Sequence, residues 1–140
     1  MIDPTQPRDF RVLVYSDDSS SRASVVNALG KRPHPDLPGF DYVECATMPV
    51  VLQHMDRGDV DLAILDGEAV PAGGMGIARQ LKDEIFRCPP ILLLTGRPQD
   101  AWLATWSRVD AVVPHPVDPI QLATSVVALA RERLASTTRT

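Results

Sequence analysis

The chain has 140 residues, enough for one domain of ordinary size and too few for two. A hydrophobic share of 44% supports a buried core, and the formal net charge is −4. With no run of Lys or Arg, that charge argues against nucleic acid, whose binding needs clustered cations, and no apolar run nears the ~20 residues of a membrane span.

Residues 1–9 are polar, carry Pro4 and Pro7, and read as a disordered leader ahead of a single domain at 10–135. Arg11–Tyr15 is a nearly continuous apolar run rich in β-branched residues, which suits a strand covered on both faces. Asp17, Asp18 and the serines after them offer caps for a helix from about Ser20 to Gly30. The three prolines and one glycine of Lys31–Gly39 make a loop, and Phe40–Ala46 reads as a second strand. Val50–Arg57 reads as a short helix stopped by Gly58, and Asp61–Leu65 as a third strand. A Gly-rich loop to Gly76 follows Asp66, and Ile77–Phe86 is amphipathic and helical. Ile91–Leu94 is the fourth strand, Asp100–Ser107 a helix and Asp110–Val113 the fifth strand. Asp118 caps a last helix over Pro119–Leu134, with Pro119 suited to its first turn, and the polar residues beyond it, 136–140 in particular, read as a frayed tail.

Five strands alternating with five helices predict an α/β fold, a (βα)5 doubly wound parallel sheet. In such sheets ligands bind beyond the carboxyl ends of the strands. Ser16, Asp17 and Asp18 stand there after the first strand, Asp66 after the third, Thr95 after the fourth and His115 after the fifth. Carboxylates gathered at one edge repel one another and need protons or a cation; oxygen ligands of this kind suit Mg²⁺. A carboxylate beside Mg²⁺ can attack a phosphoryl donor and become an aspartyl phosphate. No Ser/His/Asp triad signature points to an enzyme, and no glycine-rich phosphate loop follows the first strand, which speaks against a flavin or nucleotide site.

The stretches RVLVYSDDSSSR, DLAILDGEAVPAGGMGIARQLKDE, PPILLLTG and DAVVPHPVDP, in this order and spacing, resemble the receiver domain of two-component response regulators. The resemblance spans roughly Arg11 to Leu134 and implies the flavodoxin-like receiver fold with strand order 2-1-3-4-5. It implies that Asp66 is the phospho-acceptor, that Asp17 and Asp66 bind Mg²⁺ together with the backbone carbonyl of Glu68, and that Thr95 reads the phosphoryl group. Gly74 matches the glycine before the third helix, and Pro116 the proline that follows a cis peptide bond.

This chain departs from the family at several positions. Ser16 stands where the first acid of the acidic pair belongs, leaving Asp17 and Asp18 as two acids shifted by one. His115 replaces the family lysine, Val112 a frequent aromatic residue, and Val70 a loop proline, with Pro71 one residue later. A histidine is shorter than lysine and only partly charged at neutral pH.

Several residues admit two readings. Asp18 is a metal ligand or a first-turn acid favoured by the helix dipole. Thr95 and His115 are pocket groups or loop residues. Trp102 and Trp106 share one face of the fourth helix, packing on the sheet or meeting a partner. His34 and His54 read as surface residues. Cys45 and Cys88, in no metal spacing and behind no signal peptide, read as small apolar residues of a reduced, cytoplasmic protein.

The resemblance therefore implies a stand-alone receiver that signals through a sensor histidine kinase, a downstream effector or a second copy of itself, with a homodimer face on the fourth helix, fifth strand and fifth helix. Two readings follow: a working phospho-receiver with Mg²⁺, or a phosphorylation-independent pseudo-receiver that binds protein.

Overall fold

The computed structural model describes residues 9–70, 72–96 and 102–138. The expected leader apart from Asp9, Pro71, and the Asp100 start of the fourth helix lie outside the described residues. The elements run β1 (Phe10–Tyr15), α1 (Ser19–Leu29), β2 (Phe40–Cys45), α2 (Met48–Arg57), β3 (Leu62–Asp66), α3 (Gly74–Glu84), β4 (Ile91–Thr95), α4 (Trp102–Ser107), β5 (Ala111–Pro114) and α5 (Pro119–Thr138). The strands form one sheet in the order β2-β1-β3-β4-β5, every pair parallel.

Strand alternation builds two apolar layers. Val12, Val14, Leu62, Ile64, Leu92 and Leu94 point to one face and pack with Val25 and Leu29 of α1 and Leu122 and Val126 of α5. Leu13, Tyr15, Ala63, Leu65, Ile91 and Leu93 point to the other and pack with Val51 and Met55 of α2 and Ile77 and Leu81 of α3. Because both faces are covered, β3 and β4 are buried at every residue and read as continuous apolar runs.

Local chemistry sets the helix ends. Asp18 is the N-cap of α1, its Oδ1 accepting from the Ser20 amide at 2.9 Å. Gly58 closes α2 in the left-handed conformation, φ 72°, with its N–H on the Met55 carbonyl. α2 starts at Met48, two residues before the expected Val50, because Pro49 fits a first turn. α3 starts at Gly74 rather than Ile77 and ends at Glu84 rather than Phe86, where Phe86 is exposed and Arg87 turns to φ 55°. α5 runs on to Thr138, past the expected Leu134 end, so polar residues read as frayed continue the helix. Asp61 and Asp110 precede their strands instead of opening them; their carboxylates accept from the Arg11 and Ile91 amides.

Candidate functional site at the carboxyl edge of the sheet

Strand register brings the chemistry together. Tyr15 pairs with Leu65, so Ser16 stands level with Asp66 on the neighbouring strand. Asp66 pairs with Leu94, and Thr95 with Pro114, which sets His115 one step beyond the edge. The His115 amide donates to the Thr95 carbonyl at 2.7 Å, and the His115–Pro116 peptide is cis. Ser16, Asp66 and Thr95 are buried, at 1%, 4% and 1% exposure, among otherwise apolar strand ends.

Both carboxylate oxygens of Asp66 are engaged. Ser16 Oγ donates to Oδ2 at 2.7 Å. Oδ1 accepts from the Glu68 amide at 2.9 Å and lies 3.0 Å from His115 Nε2. A carboxylate only accepts, so that contact is a hydrogen bond when Nε2 carries the proton, and an ion pair when the ring is charged. Ser16 Oγ also accepts from the Asp18 amide, and its carbonyl accepts from Arg22, which pairs with Glu44. The network reaches from β1 to β5 and leaves Asp66 satisfied within the chain.

The Tyr15 hydroxyl donates to the Ala72 carbonyl at 2.5 Å and ties the β3–α3 loop to β1. Its pKa is raised, chiefly by burial and then by the charges of Asp17 and Asp66. Gly74 permits the close approach of α3 to the site: a Cβ there would stand 2.8 Å from the Asp66 carbonyl oxygen.

The remaining acids do not converge on Asp66. Asp18 uses both carboxylate oxygens on the first turn of α1, toward the Ser20 amide and Ser21 Oγ. Asp17 is exposed, and its Oδ1 accepts from the Val70 amide at 3.2 Å. The exposed side chain of Glu68 lies against Gly96. Among the described residues no three His, Cys, Asp or Glu side chains gather as a metal site. Magnesium at this edge would draw on Asp17, Asp66 and the Glu68 carbonyl. With Ser16 in place of an acid and Asp18 committed to its helix, that set is one carboxylate short of the family pattern.

No family model matches the chain. It is 63% identical over 128 residues to the uncharacterized response regulatory proteins of Mycobacterium tuberculosis strains H37Rv and CDC 1551/Oshkosh, covering 91% of this chain and 96% of each relative. The chain belongs to the response regulator receiver family. Solved receivers share its fold at low identity. The signal receiver domain of an HD domain-containing protein from Pseudomonas fluorescens Pf-5 superposes with TM-score 0.78 at 17% identity, covering 100% of both chains. A CheY-like receiver domain protein from Methanospirillum hungatei JF-1 gives 0.74 at 18%, covering 92% of this chain and 99% of its own.

Of the residues singled out in the sequence, this receiver brings Asp66 and His115 into contact and sets Thr95 beside them along the edge. Ser16, which the sequence marks only as a missing acid, is a direct partner of Asp66; its place one residue past the first strand was the available signal. Sequence reasoning misses Tyr15, whose role rests on a loop contact that no motif encodes.

Other residues settle differently. Trp102 and Trp106 are 70% and 50% exposed, so neither is buried against the sheet; Arg79 lies over the Trp106 ring at 4.9 Å and donates to its carbonyl. His34 and His54, expected at the surface, are half-buried, and His54 Nδ1 has no partner among the described residues. Cys45 is buried and free, and burial pushes its thiol up to about 11, against a partial offset from Arg22. Cys88 is half-buried and free, its thiol also raised by burial. No described helix is long and apolar enough to cross a membrane.

Proposed function

We propose that this receiver is a protein-binding module, not an enzyme, whose signal does not depend on phosphorylation of Asp66. The observation that carries this reading is the 2.7 Å hydrogen bond from Ser16 to Asp66 Oδ2, with Glu68 N–H and His115 on Oδ1. An aspartate nucleophile needs one oxygen free to meet the phosphorus in line, and a cation to neutralise the donor. Here Oδ1 carries two donors and Oδ2 one, which lowers the nucleophilicity of both, and the acid that would complete a cation site is a serine. Val112 on β5 supplies no aromatic ring to rotate. The module acts in the cytoplasm on a sensor histidine kinase, a downstream effector or a second copy of itself. Trp102 and Trp106 give α4 large exposed aromatic anchors.

Beryllofluoride with Mg²⁺, a mimic of the aspartyl phosphate, tests this against amide NMR spectra. The reading expects no shifts around Asp66, Thr95 and Trp102; saturable shifts at all three would overturn it.

A second reading, with Asp66 as phospho-acceptor, has one observation in its favour: His115 Nε2 stands 3.0 Å from Asp66 Oδ1, and a charged imidazole there offers a cation at the acceptor. That reading also requires Mg²⁺, and the same spectra decide between them.

A further inference from the structure

The opposite edge of the sheet, at the amino ends of β3 and β4, holds a cavity of about 350 Å3. Met55 of α2 and Val60 of the lead-in to β3, both core residues, form its apolar floor with Ile85. Arg87 and Arg133 stand in its wall, and Phe86, 87% exposed, stands at its rim. The volume lies within the range of small-molecule sites, roughly 300–1,000 Å3.

Two cations near these arginines are already paired. Arg108 pairs with Asp83, and Lys82 with Asp110 at 2.8 Å, so those two acids already hold cations. Arg133 has no ion-pair partner among the described residues, and its Nε is buried with no hydrogen-bond acceptor. Arg87 lies over the Phe86 ring, 5.5 Å from its centroid, on a backbone turned to φ 55°, a conformation that non-glycine residues adopt uncommonly. The cavity thus pairs an apolar floor with guanidinium groups that present planar forks to carboxylate or phosphate oxygens.

We infer that this cavity binds an oxyanion carried on an apolar stem, the anion meeting Arg133 and Arg87 and the stem lying on Met55, Val60 and Ile85. The site is remote from Asp66 and independent of how Asp66 is used.

The test is titration of the whole protein with octanoate, octyl phosphate, 1-octanol and inorganic phosphate, followed by NMR of the backbone amides and the arginine Nε–H groups. Octanoate and octyl phosphate serve as carboxylate and phosphate forms of the same chemistry; the tighter one names the source. The expected result is saturable shifts at Val60, Ile85 and Arg133, with octanol and inorganic phosphate each at least tenfold weaker than the better amphiphile. Arg133→Gln should weaken binding tenfold or more. Arg87→Gln, which alters a loop position, should weaken it severalfold with an unchanged melting curve. Octanol binding as tightly as both anions, or binding unchanged in both variants, would overturn the inference, as would the absence of shifts at the cavity.

Discussion

Ser16 Oγ and Asp66 Oδ2 stand 2.7 Å apart, both residues buried, where the resemblance implies an acid in place of the serine. A hydroxyl there donates to the aspartate. Removing the donor leaves a buried carboxylate oxygen unsatisfied. Ser16→Ala should lower stability by about 1–3 kcal/mol, measured by urea unfolding. A change below about 0.5 kcal/mol would mean that water or another group takes over the bond.

Restoring an acid at that position should restore the need for a cation. Ser16→Asp puts two carboxylates at one buried edge, where they repel unless neutralised. Millimolar Mg²⁺ should therefore raise the melting temperature of Ser16→Asp clearly and leave the parent unchanged. Equal stabilisation of both proteins would show that the native donor set already binds the ion.

The fold was legible because each strand announces itself. Arg11–Tyr15 and Ile91–Leu94 are apolar at almost every residue, as strands covered on both faces must be. The edge positions of Asp66, Thr95 and His115 follow from where those runs stop. Bonds formed across strands were not legible: nothing in Ser16 says that its hydroxyl turns to Asp66 rather than to solvent, since register alone decides that. The role of Asp18 was open, because an acid after a strand serves a helix cap or a metal equally well until the geometry is known. Gly74 and Gly76 look like loop residues in the sequence, which sets the expected start of α3 late, whereas α3 needs Gly74 to come close to Asp66.

That close approach gives a paired prediction within one helix. A Cβ at Gly74 would meet the Asp66 carbonyl oxygen at 2.8 Å, so Gly74→Ala should destabilise the protein by about 1–3 kcal/mol. Gly76 faces open space, and Gly76→Ala should stabilise it by about 0.5–1 kcal/mol. Urea unfolding of the two variants should move in opposite directions; movement in the same direction would contradict the packing described for α3.

Trp102 is 70% exposed, so Trp102→Ala should change stability by less than about 0.5 kcal/mol, as surface substitutions do. Leu93→Ala, in the core, should cost about 2–5 kcal/mol. A large loss from Trp102→Ala would return that side chain to a packing role and remove it as a partner anchor.

Burial raises the Cys45 thiol from 9.0 to about 11, so the fold favours the protonated form. Its contribution to stability is complete below pH 9 and is lost as pH climbs towards 11. Between those values, stability should fall less steeply in Cys45→Ala than in the parent. Parallel slopes would mean that the thiol is not the group being titrated.

The central claim is that Asp66 is held by Ser16 and His115 and does not accept a phosphoryl group. Intact mass after incubation with acetyl phosphate and Mg²⁺ tests it most directly. The account predicts that the parent mass does not change. A gain of one phosphoryl group that disappears in Asp66→Asn would contradict it.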